Sequence, residues 1–189
     1  MKKILIILFL VFLTSLTFGQ EKRVVSIIDS TKTPELVLIQ EFTVNSPIDS
    51  VWNAYTTKKG WKNGAVPLAE IDLRVGGFIK TNYNKAGEIG DSTTIVTPII
   101  NYVPKKLITL QAELTDNFPE FMKKEEKDFY NLIYFDETEK GKTHVKSYGI
   151  GYKNNLKYLS LMEYFIPANE KLLMNLILYL ETDTKTKKE

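Results

Sequence analysis

Residues 44–83 read VNSPIDSVWNAYTTKKGWKNGAVPLAEIDLRVGGFIKTNY, and this stretch decides the fold. Asn45 or Ser46 can cap a helix, and Pro47 occupies its favoured first position. Ile48, Val51, Trp52 and Tyr55 then recur at helical spacing, which predicts a short amphipathic helix ending before Lys58-Lys59-Gly60. Beyond it the period changes to two. Ile71, Leu73 and Val75 alternate with Asp72 and Arg74, and Gly76-Gly77 marks a tight connection into Ile79, Thr81 and Tyr83.

Outward from this stretch the strand pattern continues. Glu35–Val44 reads as a strand, with a further short one possible at Val24–Ile28. Ser92–Tyr102 and Leu107–Leu114 follow as strands, Phe118–Asp128 as a charged short helix or excursion, and Tyr130–Phe135 with Thr143–Gly151 as a hairpin. The run MKKEEKD (Met122–Asp128) reads as a surface helix with charge pairing. The end differs in kind. Leu159, Met162, Ile166, Leu173, Leu176, Ile177 and Leu180 fall on one helical face, and Pro167 is expected to kink or split that run. This order predicts an α+β domain in which an antiparallel sheet is covered by the last helix.

The ends bound the domain. Lys2-Lys3, the apolar run Ile4–Leu13 and the small residues of Thr17-Phe18-Gly19 read as a signal peptide over residues 1–19. The run is too short to span a bilayer, so no stable membrane anchor is expected after cleavage. The expected layout is therefore signal peptide 1–19, leader 20–34, domain 35–182 and a flexible tail 183–189, in an exported protein, periplasmic or secreted. The chain has 25 basic and 23 acidic residues; losing Lys2 and Lys3 balances them at 23 each. A neutral chain without a basic block argues against nucleic-acid binding. The absence of cysteine excludes a disulfide framework and lipoprotein attachment, so stability must come from a core.

SPIDSVWNAYT, the Trp in KKGWKNGAVP, and AEIDLRVGG before a strand give the chain a family likeness. Together with IGDSTTIVTPIINYVP and FIPANEKLLMNL, they make it resemble the SRPBCC, or START-like, superfamily over about Glu35–Glu181. Within that superfamily it looks like the branch named after the activator of a heat-shock-protein ATPase. The resemblance implies a helix-grip fold: a curved antiparallel sheet wrapped around a long C-terminal helix, with an elongated cavity between them. It also implies a broad functional range, because the superfamily includes lipid carriers, plant hormone receptors and polyketide cyclases.

Catalytic vocabulary is sparse. His144 is the single histidine, and strand alternation puts it on one face with Lys146 and Tyr148, read as the solvated face. One histidine without clustered carboxylates does not make a zinc site, and there is no G-x-S-x-G or phosphate loop. No cofactor is expected. Asn169 lies on the apolar stripe just after Pro167, so it either caps the second half of a broken helix or faces the cavity. The aromatic set (Trp52, Tyr55, Trp61, Tyr83, Tyr130, Tyr134, Tyr164, Phe165) divides between core and pocket. Trp52 reads as core, and Trp61, in a loop, reads as either core or cavity mouth. Asp72 and Arg74 read as a solvated pair. The ligand-binding candidates are Trp61, Tyr83, Tyr134, Tyr164 and Asn169. The leading expectation is a non-catalytic domain binding a small hydrophobic or amphipathic molecule. Its alternatives are a cofactor-independent cyclase or hydrolase using Tyr134, Tyr164 and Asn169, and a cell-envelope protein-interaction module.

Overall fold

The computed structural model describes residues 22–31, 34–64, 66–111, 113–115 and 118–186. The expected signal peptide and the last three residues of the tail lie outside them. Strand β1 spans Val24–Asp29 and β2 Glu35–Val44, followed by helices α1 (Ile48–Thr56) and α2 (Lys58–Gly64). Then come β3 (Leu68–Asp72), β4 (Phe78–Asn82), β5 (Ile95–Val103) and β6 (Leu107–Gln111). A short helix α3 (Glu120–Lys123) and a 3-10 turn (Glu126–Asp128) lead into β7 (Tyr130–Glu139), β8 (Lys142–Lys153) and α4 (Leu156–Thr186).

The eight strands form one sheet in the order β1-β2-β8-β7-β6-β5-β4-β3, antiparallel throughout. Register breaks in β2–β8, β5–β6 and β7–β8 add local twist and bend the sheet. Helix α4 is 31 residues long, about 46 Å, enough to run the length of the concave face. This is the α+β helix-grip architecture. The segment expected as a leader supplies β1, the edge strand beside β2, so the sheet begins before Glu35.

Two expectations are corrected by packing. Pro167 lies inside a single helix and does not split it. Lys58–Gly64 forms α2, so Trp61 sits on a helix and not in a loop. The reason is a close approach: a Cβ on Gly60 would lie 2.4 Å from Ala54 Cα, so only glycine lets α2 fold back onto α1. Trp61 Nε1–H then donates to the Tyr55 carbonyl at 2.7 Å and locks the two helices together.

Burial alternates cleanly along β2. On β2 the inward residues Leu36, Leu38, Gln40, Phe42 and Val44 are all buried. The core is dense at both ends of α4. One cluster joins Val44, Val51, Trp52, Ile99, Phe135 and Ile177; the other joins Leu36, Leu38, Met122, Phe129, Tyr158 and Met162. Between them the inward residues of β8 shrink to Ser147 and Gly149, and packing opens.

Candidate functional site

That opening is a hollow between sheet and helix, in two adjoining lobes. The larger, about 390 Å³, is lined by Leu38, Met122, Phe129, Tyr152, Met162 and Phe165 among others. The smaller, about 230 Å³, lies toward α1 and α2 and is lined by Ala54, Tyr55, Tyr83, Ile133, Leu173 and Leu176. Both are bordered by Gln40, Trp61, Leu110, Asn131, Ser147 and Asn169. Met162, Phe165 and Leu173 thus line the space and leave it open. The larger lobe falls in the size range of small-molecule sites, roughly 300–1,000 Å³, and its lining is mostly apolar.

Of the five ligand-binding candidates, Trp61, Tyr83 and Asn169 line this hollow. Tyr83 is half exposed and marks the rim, while Trp61 borders both lobes. Tyr134 and Tyr164 are corrections. Tyr134, 43 % exposed, stacks edge-on against Tyr148 on the opposite face of the sheet. Its position on β7 gives it the opposite parity to the buried Ile133 and Phe135. Tyr164 is 76 % exposed on the solvent side of α4. Asn169 is not a cap: it lies mid-helix, and its Nδ2 donates to Gln40 Oε1 at 3.3 Å.

Gln40 is the residue that sequence reasoning missed, although the signal was present. It is the one polar member of the Leu36–Leu38–Gln40–Phe42–Val44 face, and it is only 7 % exposed. A buried amide must have partners. Its Nε2 donates to Ser26 Oγ at 3.0 Å, its Oε1 accepts from Asn169, and its backbone carbonyl accepts from Ser147 Oγ at 3.3 Å. Beyond Ser26 stands the Glu170 carboxylate, salt-bridged to Lys22 at 2.7 Å. Partial burial disfavours its ionised form, but hydrogen bonds from Lys22 and Ser26 outweigh that and hold its pKa below the usual glutamate range. Tyr55 is the other buried polar group at the hollow. Burial pushes its hydroxyl pKa up, and among the described residues no protein group hydrogen-bonds that hydroxyl.

The excursion between β6 and β7 closes the far end of the larger lobe through Phe118, Met122 and Phe129. It is pinned from below. The buried Tyr158 hydroxyl donates to Glu125 Oε2 at 2.6 Å, and Lys153 Nζ pairs with Glu125 Oε1. Of the charges in the MKKEEKD run, Glu125 pairs with Lys153 and the buried Tyr158, and Lys123 pairs with Glu120 at 2.9 Å.

The opposite face of the sheet carries a shallower concavity, about 610 Å³, lined by Leu132, Tyr134, His144, Lys146 and Tyr148 among others. Glu41 bridges Lys146 at 3.0 Å and approaches His144 Nε2 at 3.7 Å. His144 is therefore on the solvated face, paired in a surface charge cluster. Arg74 and Asp72 form an exposed pair at 2.7 Å. Among the described residues no group of His, Asp or Glu is arranged to hold a metal ion, and no helix is long and apolar enough to cross a membrane.

Residues 45–166 match the family model described as Activator of Hsp90 ATPase homolog 1-like protein. No curated protein matches the chain. Solved structures do. A conserved protein of unknown function from Enterococcus faecalis superposes with a TM-score of 0.60 at 15 % identity, covering 84 % of this chain and 78 % of that one. CalU16 from Micromonospora echinospora gives 0.58 at 16 % identity, covering 86 % and 89 %. The Aha1 dimer from Colwellia psychrerythraea gives 0.56 at 16 % identity, covering 77 % and 96 %. At these identities the likeness is one of fold.

Proposed function

The chain belongs to the Activator of Hsp90 ATPase homolog 1-like family, and from that premise we propose that it is an exported START-like domain that binds a small hydrophobic or amphipathic molecule between sheet and helix. The observation that carries the reading is the two-lobed hollow, lined by Leu38, Phe129, Met162 and Leu173 and crossed by a few fixed polar groups. An apolar space of this size, kept open by Ser147 and Gly149 instead of larger side chains, is costly to retain in a domain that needs only stability. Export rests on Lys2-Lys3, the Ile4–Leu13 run and the small-residue junction that follows them. The catalytic alternative loses two of its three groups, since Tyr134 and Tyr164 stand away from the hollow.

The test is native mass spectrometry of the protein recovered from its own host, paired with titration by Nile red, a neutral apolar dye. Expected are a co-purifying small molecule, saturable dye binding, and a mature chain beginning near residue 20. Recovery without ligand, together with no dye binding, removes the carrier reading; an intact amino terminus removes export.

A further inference from the structure

Tyr55 is a buried polar side chain of the hollow without a protein partner. It lies on the inward face of α1 with Val51 and Trp52 and is only 9 % exposed. Its ring packs edge-on against Phe135 at 5.1 Å, and Trp61 Nε1–H holds its backbone carbonyl, so the side chain is fixed in place. Tyr55 lines the smaller lobe, and among the described residues no group donates to its hydroxyl or accepts from it. Gln40 and Ser147 border the same lobe but are committed elsewhere, the Gln40 amide to Ser26 and Asn169, the Ser147 hydroxyl to the Gln40 carbonyl. A phenol kept out of bulk water without a partner is costly, and phenylalanine would fill nearly the same volume without that cost. Such a hydroxyl is matched by a ligand.

The chemistry of the lobe selects that ligand. Burial keeps the Tyr55 hydroxyl neutral, so it remains a donor across the working pH range. No Lys, Arg, His, Asp or Glu among the described residues lines the smaller lobe, so a charged group seated there would lack a counter-ion. An uncharged acceptor with no proton of its own, a carbonyl oxygen, meets both conditions. Because the two lobes share a border of Gln40, Trp61 and Leu110, the rest of such a molecule can extend into the larger one. We propose that Tyr55 is the polar anchor of the hollow, donating its phenolic hydrogen to the carbonyl oxygen of an uncharged ketone or ester whose apolar chain occupies the larger lobe. This inference rests on the carrier reading above.

The experiment is displacement of Nile red by three ligands of one chain length: a methyl ketone, the alkane, and the fatty-acid anion. The dye's own affinity is measured for each variant. Tyr55→Phe is expected to weaken the ketone about fivefold, to leave the alkane unchanged, and to fold as stably as the unmodified chain, since the lost hydroxyl had no protein partner. The anion is expected to bind less tightly than the ketone. Infrared spectroscopy reads the bond directly in the unmodified chain, whatever the variant does: the bound ketone's carbonyl stretch falls below its value in hexane, and in Tyr55→Phe it returns to that value. A stretch unmoved from the hexane value overturns the anchor, as does an equal effect of Tyr55→Phe on ketone and alkane, which would show that the hydroxyl serves water only. Tighter binding of the anion than of the ketone overturns the uncharged ligand. These three results leave the carrier reading standing, whereas no dye binding to the unmodified chain overturns that reading and this inference with it.

Discussion

Replacing Glu125 by alanine tests how the excursion over the larger lobe is held. Glu125 accepts from the Tyr158 hydroxyl at 2.6 Å and pairs with Lys153, whose side chain is 60 % exposed. The charge-assisted bond to a buried hydroxyl contributes about 1.5–3 kcal/mol. The exposed lysine adds between roughly 0 and 1 kcal/mol. Glu125→Ala is therefore expected to cost about 2–3 kcal/mol, Tyr158→Phe about 1–1.5 kcal/mol, and Lys153→Ala under about 1 kcal/mol. Urea unfolding of the single variants and of the Glu125→Ala/Tyr158→Phe pair yields the coupling, expected at about 1 kcal/mol or more. Amide exchange in residues 118–128 rises in Glu125→Ala. The sign with pH follows. Lys153 and Tyr158 hold the Glu125 carboxyl below its ordinary value against a smaller opposing effect of burial. Its contribution is thus complete above the ordinary glutamate pKa and disappears as pH falls through the lowered native value. A coupling within about 0.3 kcal/mol of zero refutes the clamp.

Three other outcomes are expected. Ile177→Ala, at a fully buried position under the dense end of α4, costs about 2–5 kcal/mol by chemical denaturation, and a loss below about 1 kcal/mol contradicts the packing described. Nile red binding shifts the emission of Trp61, at the junction of the lobes, and leaves core Trp52 unchanged; the shift disappears in Trp61→Phe, whereas Tyr134→Phe and Tyr164→Phe keep both shift and affinity. The loop after β4 is caged by Asp91, whose carboxylate accepts from the Glu88 and Thr93 backbones, the Thr93 hydroxyl and Asn82. These bonds, the Glu88 one foremost, lower its pKa to about 2, so NMR shows the loop unchanged on acidification until pH approaches that value, and a midpoint near the ordinary aspartate pKa contradicts the cage.

The readability of this chain divides by range. Period two along Glu35–Val44 and Lys142–Lys153, and the helical stripe from Leu159 to Leu180, are visible because each is set by which side chains a single segment buries. The α2 helix was not visible because Gly60 reads locally as a breaker, and only its contact with Ala54 shows why glycine is required there. Pro167 reads as a break for the same local reason, yet α4 continues through it because the buried Met162, Leu176 and Ile177 tie its two halves to the sheet.

The candidate site divides along the same line. From its sequence alone, this protein is an antiparallel sheet with a long covering helix and His144 on the wet face, while Trp61 stays open between core and cavity mouth and Asn169 between helix cap and cavity. Periodicity assigns residues to a face but not the face to the core when both carry aromatics, so Tyr134 was placed on the wrong side. Only the tertiary structure brings Gln40 to Asn169, 129 residues apart in sequence. A cavity is a deficit of volume between packed layers, and the partner of a buried amide is set by the element packed against it. Neither quantity belongs to any one segment.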